Sequence, residues 1–447
     1  MVLRMPIPKE ASFPVTYRAA QVNAILDAVA RCRSIAVYGL AGMGKSNIFR
    51  FLASHPKVKE HYLPQTAATF QFVTVDCNLS DADTEDGLLR ELDFQLARAG
   101  LAPERAFSQN IAPRQAIRLR LEAMHADKNL VILLDPLDRA FAQFSQSFWA
   151  YLRALRDIQG NVIYVFGARR PPPPLCELQE LFVEACWVTP LTRPDAQGSL
   201  ARDARRLNVT FTNRDINLLM ELSGNHPGLL KNCAELVGRG AVTLHQPSEL
   251  LARELLAYET IQAVCRDLWA DLKAEWKILQ GLALGVPPNA ADAKILEFLR
   301  RAGVLGKTQA GYELFSPLLR AYIISDLPRV IRVHVRASEP VTLESWQGTH
   351  TLRLGESALQ LLRVLAQAPE EIHPRARLAR TLALGDPHYS DEAVMAHIKR
   401  LRKSLNAALR PLLIDDRFDA ILAARKQGYR LQLQAAHAWR VEYEISA

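Results

Sequence analysis

Residues 34–46 read SIAVYGLAGMGKS, a short apolar run that ends in the spacing G-x-x-x-x-G-K-S. Gly39, Gly44, Lys45 and Ser46 fill the fixed positions, and KSNIFRFLA continues with apolar residues at helical spacing. A glycine-rich turn feeding a helix N-terminus aims backbone N–H groups at an anion, and the helix dipole favours negative charge there. Gly42, Met43 and Asn47 complete such a cradle, Lys45 reaches toward the outer phosphates, and the Ser46 hydroxyl is placed to ligate Mg²⁺. The segment therefore predicts a nucleoside-triphosphate site carried by a strand, a loop and a helix. A chance match in a Gly-rich connector would lack the strand before, the helix after and the acidic strand downstream.

Five strand-like runs, 34–39, 70–76, 129–134, 161–167 and 185–189, alternate with helical stretches. That alternation predicts an α/β core over residues 1–200, a five-stranded parallel sheet covered on both faces. The third run, NLVILLDPLD, ends at Asp135. A carboxylate at the C-terminal edge of a buried strand can meet a Mg²⁺ shell beside the phosphate loop. Asp138 is the nearest later carboxylate, and two readings of it stay open: a second catalytic acid, or the N-cap of the helix that follows. The next strand, NVIYVFGARR, finishes with Arg169 and Arg170, either facing phosphate or simply solvated at a strand end. Pro171–Pro174 forms a stiff connector that neither a helix nor a central strand accepts.

Composition removes several classes. Of 447 residues 49% are hydrophobic, enough for more than one core, yet no apolar run approaches the ~20 residues of a membrane span. The first residues, MVLRMPIPKEASFP, lack the apolar centre of a secretory signal. The six cysteines, Cys32, Cys77, Cys176, Cys186, Cys233 and Cys265, form no CxxC pair and read as reduced thiols of a cytoplasmic protein. The eleven histidines show no zinc-ligand spacing. A net charge of +8 permits a polyanionic partner.

Beyond the loop, the order of motifs resembles the STAND class of signalling NTPases, which includes NB-ARC domains. D-P-L-D at Asp135–Asp138 is similar to the hhhhDxxD signature of that class, and Arg169 falls where the NB-ARC strand ends in Thr-Thr-Arg. The resemblance implies ATP/ADP and Mg²⁺ as cofactors, with Asp135, Asp138 and Arg169 as catalytic or phosphate-sensing residues. Pro136 stands where many hydrolytic relatives carry Glu, which implies slow turnover. Phe13-Pro14-Val15-Thr16-Tyr17-Arg18 is similar to the lead-in that packs on adenine, which implies Val15, Tyr17 and Arg18 as base-pocket residues. Gly224-Asn225-His226-Pro227-Gly228 resembles the GxP motif, whose proline packs on the nucleotide, and sits in a helical lid over 201–258. Residues 259–327 resemble the winged-helix domain that follows, with Phe315-Ser316-Pro317 where NB-ARC proteins carry Met-His-Asp.

A second module occupies 329–435. In SDEAVMAHIKRLRKSLN, residues 390–406, Val394, Ile398, Leu401 and Leu405 fall within about 60° of one another at helical spacing. Lys399, Arg400, Arg402 and Lys403 lie opposite, a face that by itself reads equally as solvated. Strand-like VTLESW and HTLRLG precede it, and a hairpin-like piece ending ARKQGYRLQL follows. This order resembles the OmpR/PhoB-type winged helix, through Val394, His397, Ile398, Leu401 and Arg402 and the terminal Gly428-Tyr429-Arg430. The resemblance implies that His397, Lys399, Arg400 and Lys403 meet double-stranded DNA in the major groove and that Arg425 is the wing arginine. Glu392 and Met395 depart from that family's polar or basic contacts, and Asp415, Asp416 and Asp419 form an acidic insert.

Together the resemblances imply an ATP-dependent conformational switch in a bacterial cytoplasm that regulates transcription. The implied partners are duplex DNA, a separate protein activator or sensor, and further copies of the chain in a nucleotide-dependent homo-oligomer, with no membrane involved. Two rival classes stay open. An origin-recognition or transposition-type ATPase also joins a phosphate-loop core to winged helices, but would favour a Walker B acid pair. A defence or signalling scaffold would bind protein through both winged helices.

Overall fold

A computed structural model describes residues 9–79, 83–101, 111–124, 127–172, 180–308, 311–326, 330–336, 340–345, 348–383, 391–413, 415–424, 427–435 and 439–445. The chain packs as two compact units. One runs to Ala283 and resumes over Pro287–Tyr322; the other comprises Leu284–Val286 and Ile323–Ala447.

The first unit opens with α1 (Ala19–Ala30), β1 (Ile35–Tyr38), α2 (Lys45–Ser54), α3 (Val58–Tyr62), β2 (Phe70–Asp76) and α4 (Glu85–Arg98). It continues with α5 (Pro113–Glu122), β3 (Asn129–Asp135), α6 (Asp138–Gln143), α7 (Gln146–Gln159), β4 (Val162–Ala168) and β5 (Glu184–Trp187). The strands form one sheet in the order β2-β3-β4-β1-β5, with every pairing parallel. Burial explains which strands sit in the middle. IAVY, VILLD and VIYVFGA are buried at every residue, as strands covered on both faces must be, whereas β2 and β5 at the edges are only partly buried. The order places the C-terminal ends of β3 and β4 beside that of β1, where the glycine-rich loop leaves the sheet; ligands of open α/β sheets bind at such ends.

Helices follow the sheet: α8 (Arg193–Leu207), α9 (Asn213–Ser223), α10 (Pro227–Gly238), α11 (Ser248–Leu255), α12 (Glu259–Asp271), α13 (Trp276–Ala283) and α14 (Ala293–Arg301). Then come the hairpin β6 (Leu305–Thr308) and β7 (Gly311–Leu314), and α15 (Pro317–Asp326). Their starts are written in local chemistry. Thr192 caps α8, Thr212 and Asp215 form a reciprocal capping box on α9, and Pro227 occupies the first turn of α10. Gly224 ends α9 in the left-handed region, and a Cβ there would overlap the Phe315 carbonyl, so the β7–α15 corner fits only a glycine.

The second unit holds β8 (Val330–Val335), β9 (Val341–Ser345), β10 (Gly348–Leu352), α16 (Glu356–Gln367), α17 (Arg375–Ala383), α18 (Asp391–Leu413), β11 (Ile421–Ala424), β12 (Gly428–Leu431) and β13 (Arg440–Ile445). Three helices and the β11–β12 hairpin surround one core, which makes it a C-terminal winged helix, with a sheet in the order β10-β9-β8-β13 packed on it. The stripe expected on α18 is that core's centre: Val394, Ile398, Leu401 and Leu405 are all buried, and Leu409 extends it. Gly428 has a φ of 150°, and a Cβ there would overlap the His373 carbonyl, while Tyr429 and His373 exchange backbone hydrogen bonds. That explains the glycine at the start of this strand. Strand β8 and strand β13, which pairs with it in parallel, were not expected from sequence.

Candidate functional site

The loop after β1 has the backbone its glycines allow. Gly42 and Gly44 adopt φ values of 70° and 94°, and Gly44 stands at the N-cap of α2. Gly39 is needed for a different reason, since a Cβ would stand 2.9 Å from the Val188 carbonyl oxygen. Met43 is fully buried beneath the loop, and Asn47 accepts a hydrogen bond from Arg50 at 2.6 Å. Lys45 is 8% exposed and donates to the Gly39 carbonyl, its ammonium folded back over the loop. Burial lowers its pKa, while the charges of Asp135 and Asp138 oppose that shift.

Ser46 and Asp135, which are 89 residues apart, meet directly: the Ser46 hydroxyl donates to Asp135 Oδ2 at 2.5 Å. Burial raises the Asp135 pKa, with the Ser46 hydrogen bond and Lys45 pulling it back. Its other oxygen, Oδ1, is buried with no hydrogen-bond partner among the described residues, and so is Oδ2 of Asp138. Room for the carboxylate comes from Gly167 on β4, because a Cβ there would overlap Asp135 Oδ1. A hydroxyl, a carboxylate and orphaned acidic oxygens are the hard donors Mg²⁺ takes, and it draws its remaining ligands from phosphate and water. The residues fit nucleotide with Mg²⁺: Ser46 and Asp135 would hold the ion and Lys45 the phosphates. The bound ion would supply charge neutralisation at the phosphates.

Asp138 is not the N-cap of α6; Leu137 holds that position and Asp138 begins the helix. Its Oδ1 accepts the Arg169 backbone N–H at 2.7 Å, tying the end of β4 to the start of α6. The Arg169 guanidinium pairs with Asp271 Oδ1 at 2.8 Å. Burial pulls its pKa down, but the hydrogen bond and charge of Asp271 outweigh that and raise it. Arg170 pairs with Glu275 and lies 4.5 Å over the Phe298 ring. Neither arginine is merely solvated.

The residues read as a base pocket occupy different surroundings. The Tyr17 ring is 4% exposed and packs edge-on against Phe13 and Phe51. Arg18, 1% exposed, donates to the carbonyls of Thr189 and Pro190 and, at 2.7 Å, to that of Met43 in the loop. It therefore ties the chain after β5 to the phosphate loop. Pro227 does reach the loop: its Cγ would lie 3.9 Å from a Cβ on Gly44. Ser316 donates to the Leu222 carbonyl at 2.8 Å while accepting from the Leu319 N–H.

Two further residues, neither of which the sequence marks as catalytic, complete the site. His226 caps α10 by accepting the Leu229 N–H at Nδ1, which leaves Nε2–H to donate to the Ala41 carbonyl at 2.9 Å. Burial pushes its pKa down to about 4, so the ring is neutral. Asp271, at the end of α12, accepts the Ala41 N–H at 2.7 Å. An acid at a helix C-terminus opposes the helix dipole, which was the only local signal for it.

In the second unit, Lys399, Arg400 and Lys403 are exposed on α18 and His397 is half-buried. Arg402 is not on that open face: it is half-buried and pairs with Asp419 at 3.5 Å, so this acid of the insert neutralises a charge of the helix. Arg425 lies outside the described residues.

Comparison with known proteins follows the same division. Residues 14–165 match the AAA ATPase domain family, and residues 349–431 match the family "Transcriptional regulatory protein, C terminal". No curated protein matches the chain. Similar solved structures include the Walker-type ATPase of Pyrococcus abyssi, at 15% identity and a TM-score of 0.49, covering 72% of this chain and 99% of that one. The Orc1 protein of Aeropyrum pernix in complex with DNA is similar at 13% identity and a TM-score of 0.39, covering 72% and 95%. The RuvB Holliday junction branch migration motor of Thermotoga maritima is similar at 13% and 0.35, covering 66% and 90%. Among the described residues no helix is long and apolar enough to cross a membrane. The chain joins an AAA ATPase domain to a C-terminal winged helix of the transcriptional regulatory kind.

Proposed function

We propose that this protein is a STAND-type switch, driven by ATP and ADP with Mg²⁺, that regulates transcription by binding duplex DNA through α18 and the β11–β12 wing. The observation that carries the reading is the meeting of Lys45, Ser46 and Asp135 at the loop, on a chain whose residues 349–431 match a transcriptional regulatory domain. Lys45 and Ser46 hold the phosphates and the metal, Asp135 and Asp138 present carboxylates to that metal, and Arg169 stands at the strand end beside them. Pro136, where a water-polarising Glu would stand, makes turnover slow. His397, Lys399, Arg400, Lys403 and Arg425 contact DNA. A protein activator and nucleotide-dependent self-association belong to the same reading.

Calorimetric titration of ATP and ADP into the full chain tests the first half. Lys45→Ala removes a charge-assisted contact worth about 1.5–3 kcal/mol, so affinity falls tenfold or more. Unchanged affinity would refute the loop assignment. For the second half, the full chain is incubated with fragmented genomic DNA in ATP, in ADP and without nucleotide at low salt, and bound fragments are sequenced. Enrichment that depends on nucleotide supports the switch. No duplex bound in any state would make the second unit a protein-docking domain, a reading that the exposed Glu392 on α18 favours.

A further inference from the structure

The Ala41 peptide has both of its polar groups taken by the helices that follow the sheet. Its carbonyl accepts from His226 at 2.9 Å, and its N–H donates to Asp271 Oδ2 at 2.7 Å. The second oxygen of Asp271 accepts from Arg169 at 2.8 Å. One carboxylate, with a side chain only 7% exposed, thus bridges a loop N–H and the guanidinium at the end of β4. Those two donors, an amide in an anion-binding loop and a planar cation beside it, are the groups that phosphoryl oxygens accept from. The carboxylate also bears the charge sign of the anion for which the loop is shaped, and it sits where its own helix dipole disfavours it. Helix geometry alone gives no reason for an acid at that position.

We propose that Asp271 is an internal stand-in for the terminal phosphate of a nucleoside triphosphate. It holds the Ala41 N–H and Arg169 in a closed arrangement and makes the protein select diphosphate over triphosphate. The proposal rests on the reading that this loop binds nucleotide. Two anions cannot share the same donors at this spacing, so a triphosphate must displace the carboxylate, and with it the end of α12. A diphosphate leaves the bridge intact. Glu275, four residues on, holds Arg170 in the same way, so α12 and the segment after it are fastened at two points and only the first competes with phosphate.

The test uses the full chain with Mg²⁺, titrated by calorimetry with ADP and with a non-hydrolysable ATP analogue. Wild type, Asp271→Asn and Asp271→Ala are compared, together with Lys45→Ala. The expected result is a triphosphate-to-diphosphate affinity ratio that rises at least tenfold in Asp271→Ala, with Asp271→Asn intermediate because it keeps an acceptor but loses the charge. Hydrogen exchange over residues 259–271 should be faster in wild type with the analogue than with ADP, and equally fast with both in Asp271→Ala. If the wild type binds both nucleotides and the ratio is the same in all Asp271 variants, the proposal is overturned while the loop reading stands. If neither wild type nor the Asp271 variants bind nucleotide, the loop reading itself has failed and takes the proposal with it. Circular dichroism confirms folding, and Asp271→Asn, which keeps the side-chain shape, serves if the alanine variant does not fold.

Discussion

Gly167→Ala is a one-methyl change that tests the proposed metal site without replacing any of its residues. Gly167 lies inside β4, in ordinary strand conformation, so the backbone accepts alanine. Its Cβ would overlap Asp135 Oδ1 and stand 2.9 Å from Asp135 Cγ and 3.0 Å from the Phe49 ring. The strand cannot retreat. It pairs in parallel with β1 and β3, and the Gly167 carbonyl accepts the Leu137 N–H at 2.8 Å. The carboxylate must swing instead, and to do so it breaks the hydrogen bond from Ser46. A hydrogen bond to a charged group contributes about 1.5–3 kcal/mol, and overpacking a tight site costs about 1–3 kcal/mol, with partial overlap between the two. The first unit should therefore lose about 2 kcal/mol in denaturant unfolding. Nucleotide titrations with Mg²⁺ and with chelator separate the effects. The Mg²⁺-dependent part of the affinity should fall tenfold or more, while the part carried by Lys45 persists. If Gly167→Ala keeps both wild-type stability and the full Mg²⁺ increment, then Asp135 does not sit against β4 and its metal role has no structural basis.

Two further outcomes follow from the same structure. His226, held near 4 by burial against an ordinary value of 6.5, refuses a proton that the unfolded chain accepts. Stability of the first unit should thus be lost as pH falls from about 6.5 to about 4, by up to about 3 kcal/mol from this residue. His226→Asn keeps a capping side chain and should flatten that part of a denaturation-versus-pH curve; an unchanged slope would show that the ring is not the group responsible. On DNA, Lys399→Ala or Arg400→Ala should weaken binding to all sequences and reduce the salt slope by about 0.9 for each phosphate left unneutralised, read by anisotropy across a salt series. Glu392→Arg should strengthen binding, and a salt slope that none of these changes moves would take α18 out of the groove.

The parts of this protein that were legible in the sequence are those whose chemistry is local. The strands ending at Tyr38, Asp135 and Ala168 could be read because central strands, covered on both faces, must be apolar at every residue. The loop could be read because phosphate geometry fixes the spacing of Gly39, Gly44, Lys45 and Ser46. The core stripe of α18 could be read because helical period alone brings Val394, Ile398, Leu401 and Leu405 to one side. What surrounds those residues could not, because it depends on partners far along the chain. Arg402 looks exposed until the fold brings Asp419 to it, and nothing in the sequence near Arg18 shows that its two terminal nitrogens reach the Thr189, Pro190 and Met43 carbonyls.

Strand β13 shows the same limit from the other direction. RVEYEI alternates polar and apolar residues at every position, but only pairing with β8, more than a hundred residues earlier, gives its Val441 a core to enter. The Ala41 peptide is the extreme case. Its two partners stand 185 and 230 residues away, and alanine carries no side-chain signal at all. A backbone N–H and carbonyl are present at almost every position, so no motif can record which of them the fold will engage. Glycine-rich loops must leave their backbone groups accessible in order to bind anions, and that accessibility also lets the chain's own acids and imidazoles dock there first. The spacing of Gly39, Gly44, Lys45 and Ser46 is thus visible in the sequence, whereas the docking of His226 and Asp271 on that loop depends on residues whose relevance only the folded chain displays.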